Sequence, residues 1–126
     1  MKRLWGAVAL LVLLLAASLV NGWYVQSLTG RMSERLEQAQ KLTREEQWDQ
    51  AGKITHQVYD DWQDHHFYFH TVMRHSDTDQ ILRSFDTVIQ YMEFQEMDQY
   101  AAANADLVAQ LGLLAEMEQA SLVNVL

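Results

Sequence analysis

Apolar residues recur at steps of three and four along almost the whole chain, and no stretch alternates with period two. Between Thr43 and His75, the positions Trp48, Ala51, Thr55, Val58, Trp62, His65, Phe69 and Val72 fall on one helical face. Thr43 with Glu46 three residues later has the form of a capping box, in which each side chain satisfies the other's orphan backbone N–H. The spacing therefore predicts one long central helix over 43–75, on the order of 45 Å at about 1.5 Å per residue.

The flanking segments carry the same period. Gln26 to Leu42 reads as a helix with Leu28, Met32, Leu36, Ala39 and Leu42 on one side, and with the favourable i,i+4 pair Glu37 and Lys41 on the other. Thr29-Gly30 is either a hinge or a mild flaw in a continuous helix, since a lone Gly costs only ~1 kcal/mol relative to Ala. Arg74-His75-Ser76-Asp77 marks a stop and restart, with Arg74 and His75 suited to a helix C-terminus and Asp77 with Gln80 offering a new N-cap. A third helix follows with Ile81, Leu82, Phe85, Val88, Ile89 and Met92, then a short connection over 93–97. The fourth helix carries Tyr100, Ala101, Leu107, Val108, Leu111, Leu114 and Ala115. The end, Ser121 to Leu126, is apolar, and an apolar terminus docks on its own bundle or on a partner. Glu46-Gln-Trp-Asp-Gln-Ala51 and Glu96-Met-Asp-Gln-Tyr-Ala101 are weakly similar at an offset of fifty. That suggests two αα-hairpins, closed into a small bundle rather than stacked as a solenoid.

The start of the chain is different in kind. Lys2 and Arg3 precede Leu4 to Val20, seventeen residues without a charge, and Trp23 and Tyr24 follow. A cleaved signal peptide would use Ala16-Ala17-Ser18 as its small-residue site. A retained anchor needs about 17–25 apolar residues, which Leu4 to Val25 supplies, and the two aromatic residues suit the outer interface of a bilayer. The aromatic pair favours retention. In either case the positive charges stay in the cytoplasm and the remainder is exported.

Composition narrows the picture. The 126 residues leave room for one domain beside the apolar segment, 1–25 as anchor and 26–126 as an all-helical exported domain. Proline is absent and glycine sparse, as in mostly uninterrupted helix. The lack of cysteine rules out disulfides, thiolate metal sites, cysteine nucleophiles and a lipoprotein anchor. Setting Lys2 and Arg3 aside leaves seven basic and seventeen acidic side chains, a formal −10, which repels nucleic acid and anionic lipid headgroups alike.

Trp48-x-x-Ala51 at the head of the long helix, Trp62, His75 with Asp77 and Asp79, and the ending Ser121-Leu122-x-Asn124-Val125-Leu126 go together with the Lys/Arg-led apolar start. In that combination the chain resembles an uncharacterised bacterial family, domain of unknown function 4363, over nearly its whole length. Members often place Gly-Asp before the first Trp, where this chain has Glu46-Gln47, so a tighter or continuous turn is expected there. The resemblance implies membrane anchoring, an all-helical exported domain and a bacterial envelope setting. The family has no assigned activity, so no catalytic residue follows from it.

Candidate chemistry concentrates in the histidines. His66 and His70 are i and i+4, so both imidazoles can face one metal ion, with Asp61-His65 and His56-Asp60 at the same spacing. A closed site needs three or four ligands and the HExxH pattern is absent, so no metal or cofactor is assigned. Imidazoles titrate near neutrality, which makes a pH-sensing module the companion reading of the same stretch. The plainer account makes His65 a half-buried stripe residue, and His75 either a ligand contact or a cation on a helix C-terminus. Tyr59, Trp62, Phe67, Tyr68 and Phe69 are too many for one stripe, so either the other helices surround this segment and bury all of them, or an aromatic patch is left for a partner. There is no acid/base pair, phosphate loop or nucleophile motif. The expectation is a non-enzymatic, all-α interaction protein anchored to the bilayer by its N-terminal helix. It would contact a membrane-protein partner through Trp62, Phe67, Tyr68, His75, Leu122 and Leu126, with a His/Asp-rich metal or pH sensor as the alternative.

Overall fold

The stripe Met32, Leu36, Ala39 and Thr43 calls for apolar residues next at 46, 47 and 50, where the chain has Glu46, Gln47 and Gln50. A straight continuation would bury those polar groups, so the chain reverses. The computed structural model describes the backbone of residues 1–65 and 75–125 and the side chains of 1–65 and 77–117. Its helices are α1 (Lys2–Arg44), α2 (Trp48–Asp64), α3 (His75–Glu93) and α4 (Met97–Val125), and no strand occurs among the described residues. The chain is all-α.

Both short turns end their helices in the same way. Gln47 N–H donates to Leu42 O at 2.9 Å and Glu46 N–H to Thr43 O at 3.0 Å, with Glu46 left-handed at φ 62°. Glu96 N–H donates to Tyr91 O at 3.1 Å and Gln95 N–H to Met92 O at 3.0 Å, with Gln95 at φ 53°. This is the Schellman arrangement, which satisfies the last carbonyls and turns the chain back on itself.

The expected long helix over 43–75 is corrected accordingly. Thr43 closes α1, and its hydroxyl donates to Gln40 O at 2.6 Å rather than capping a following helix. α2 ends at Asp64, and Phe69 and Val72 lie outside the described residues. The longest element is instead α1, which carries the apolar N-terminal run and the first amphipathic stripe without a break. Thr29-Gly30 is no hinge, because the Thr29 hydroxyl folds back onto Val25 O at 2.9 Å within the continuous helix. The first fully buried residue of α1 is Val25.

Each helix packs on two neighbours: α1 on α2 and α4, and α3 on α4 and α2. Among the described residues the four helices close into a ring. The internal similarity is real, but its shift is forty-nine rather than fifty. Adding 49 carries Met32, Leu36, Ala39 and Thr43 onto Ile81, Phe85, Val88 and Met92, and Ala51, Thr55, Val58 and Trp62 onto Tyr100, Asn104, Leu107 and Leu111. Every one of these residues is buried. Even the polar brackets correspond. Arg35 donates to Asp61 (2.9 Å) and Gln57 (2.5 Å) in the first hairpin. Gln110 donates to Ser84 (2.8 Å) and Asp106 (2.9 Å) at the equivalent positions of the second.

Candidate functional site

Three regions carry groups that the core does not consume. The first is the pole holding the two tight turns. Phe94, in the α3–α4 turn, is 66 % exposed between Glu93 and Gln95. Its backbone is fixed by the Schellman bonds, so the ring projects from a rigid position.

The second is an open groove of about 500 Å³ between α2 and α3. Lys53, His56 and Asp60 line it at successive turns of α2, opposite Ile89, Met92 and Glu93 of α3. An ammonium, an imidazole and the carboxylates of Asp49, Asp60 and Glu93 line it over an apolar floor. Lys53, His56, Asp60 and Glu93 are exposed, so the groove is open to water.

The third is the opposite pole, where α2 ends beside α1. The His65 ring lies 6.3 Å from that of Tyr24, and His65 Nδ1 is 2.8 Å from Asp61 O. The aromatic end of the apolar run and the start of the histidine-rich stretch therefore meet at one level. Among the described residues, no group of three His, Asp or Glu side chains is placed to hold a metal ion.

The expected site residues are scattered by this geometry. Trp62 is not a partner contact: its side chain is fully buried, 6.2 Å from the Phe85 ring, where the second hairpin covers it. His75 is the first residue of α3, and its side chain lies outside the described ones. His66, His70, Phe67, Tyr68 and Leu126 lie outside the described residues. Leu122 falls in the last turns of α4, and its side chain is also outside them.

Buried polar residues are what the sequence pattern concealed. Asn104 is fully buried and donates from Nδ2 to Leu36 O at 3.1 Å and to Gln40 Oε1 at 3.0 Å, locking α4 to α1. Tyr100, one turn earlier, meets Trp48 edge-on at 5.7 Å, and its hydroxyl is buried without a hydrogen-bond partner. That burial pushes the phenol up to about 12. The available signal was a polar residue at a stripe position, since Thr55 and Asn104 both fall in phase with apolar neighbours.

No curated protein and no solved structure matches the chain. One family model does match it, over residues 20–125, from inside the apolar end of α1 through the last turns of α4. The chain thus belongs to the family described as domain of unknown function DUF4363.

Proposed function

We propose that the protein is a membrane-anchored accessory protein whose four-helix bundle stands outside the cytoplasm of a bacterial envelope and binds a membrane-protein partner. The observation that carries this reading is the unbroken α1. Its apolar first half contains an 18-residue window of mean hydropathy 2.3, none of it buried within the chain. Leu10, Leu13 and Leu14 there are about 60 % exposed or more. An apolar surface that long needs a non-aqueous surrounding. From Val25 onward the same helix is a wall of the bundle, so the anchor and the domain form one rod.

Lys2 and Arg3 set the orientation, with the N-terminus cytoplasmic. The acidic remainder has little attraction for anionic headgroups, which leaves the far pole free for protein contacts. Phe94 is the exposed aromatic anchor on that pole, and such rings are enriched in binding hot spots. The role is binding rather than catalysis, because the charged groove between α2 and α3 is open to water.

The test is purification of the full-length chain from its native membrane in mild detergent, followed by mass spectrometry. A stoichiometric membrane protein, recovered in smaller amount with Phe94→Ser, is the expected result. Recovery of the chain alone, or from the soluble fraction, overturns the reading.

A further inference from the structure

The antiparallel packing of α4 on α1 fixes how far α4 reaches toward the anchor. Tyr100 lies beside Trp48 near the end of α1, and Asn104 bonds Leu36, so the two helices run in opposite directions in a known register. Both rise about 1.5 Å per residue, so each step along α4 matches one step back along α1. Met117, thirteen residues after Asn104, is level with Trp23, thirteen before Leu36. Val125, twenty-one after Asn104, is level with Leu15. The burial pattern agrees. Leu114 is buried at the level of Val25, and Leu15 is the one partly covered residue between Met1 and Val20.

The sequences of the two helices change character at the same level. The last charge on α4 is Glu118, level with Gly22, and the uncharged run of α1 ends at Val20. Beyond Glu118 the helix continues through Leu122, Val123 and Val125 without a charge. Just above it, Leu113 and Met117 are exposed one turn apart at 56 % and 42 %, close to the height of the exposed Trp23.

We infer that the last turns of α4 form a second contact with the bilayer, penetrating its outer leaflet beside α1. From the level of Trp23 to Val125 the helix descends about 12 Å, close to the 5–10 Å depth at which amphipathic helices settle. Leu113 and Met117 meet the headgroup region, where Trp23 sits on α1. Two contacts hold the bundle upright, and the tight-turn pole then stands about 30 Å from the bilayer, nineteen residues of α1 from Tyr24 to Thr43. The inference rests on α1 crossing the membrane.

The chain has no cysteine, so single cysteines can be introduced cleanly. Full-length protein carrying Leu11→Cys, Gln99→Cys, Met117→Cys or Leu122→Cys is labelled with a polarity-sensitive fluorophore and reconstituted into phosphatidylcholine vesicles. Quenching by nitroxide lipid and by aqueous iodide is then measured. Labels at 11, 117 and 122 are expected to shift to the blue and be quenched by the lipid, with loss of iodide access at 11 and 122, while the label at 99 stays aqueous. A label at 122 that behaves like the one at 99, with 11 still in lipid, overturns the second contact and leaves the anchor standing. A label at 122 shielded from both quenchers means protein covers it, which also overturns the inference. If the label at 11 is aqueous as well, the anchor reading falls too.

Discussion

Tyr100 carries its hydroxyl into the core with no partner to receive its proton, a cost that a phenylalanine would not bear. Tyr100→Phe is expected to leave stability unchanged or raise it by about 1 kcal/mol, measured by denaturant unfolding. The same burial has a pH signature. The folded chain holds the phenol proton up to about 12, against 10.0 for the free group, so the unfolded chain releases it first. The Tyr100 contribution is therefore intact below pH 10 and falls as pH climbs from about 10 toward about 12. Tyr100→Phe should flatten that part of the stability profile, and an unchanged alkaline slope would refute the assignment. Tyr100 and Asn104 are legible as stripe positions, but the unpaired hydroxyl of one and the bond of the other to Leu36 depend on residues far along the chain.

At the scale of elements, the two tight turns decide the architecture, and neither uses glycine. Glu46 and Gln95 both occupy the left-handed region, which costs a residue with a Cβ roughly 1–2 kcal/mol. Glu46→Gly and Gln95→Gly should each raise stability by about 0.5–1 kcal/mol, allowing for the greater freedom of glycine in the unfolded chain. Glu45→Gly, at an ordinary φ of −91°, should bring no gain, and an equal gain there would show that the left-handed geometry is not the cause. The helices themselves were legible from their stripes. Where they join was less so. The Thr43–Glu46 pattern suits a helix start in isolation, yet polar residues at 46, 47 and 50 would have to enter the core if α1 continued. With Glu46 at φ 62° the turn is strained, and the chain reverses there rather than running on as one helix.

At the scale of the molecule, the forty-nine-residue repeat makes the bundle a pair of equivalent hairpins that share one core. Phe85 of the second hairpin packs 5.7 Å from Tyr59 and 6.2 Å from Trp62 of the first. Phe85→Ala should therefore cost about 3–5 kcal/mol and weaken both hairpins together. Far-UV circular dichroism and tryptophan fluorescence are expected to report one coincident transition for the bundle. Separate transitions would show that the hairpins fold independently. The Arg35–Asp61 pair matters less, because both side chains are more than a third exposed and water screens their attraction.

Period, composition and charge placed four amphipathic stripes, the apolar run and the acidic remainder, because each is a property of residues a few positions apart. The sequence by itself therefore determined the all-α class, the place of the apolar run and the net sign of the charge. Only the tertiary structure decided that α1 runs through the boundary as one rod, that the repeat is shifted by forty-nine, and that Trp62 is covered. Those depend on contacts between residues far apart in the chain, such as Asn104 with Leu36, whose register no local pattern encodes. The level at which α4 meets the apolar part of α1 follows from that same register.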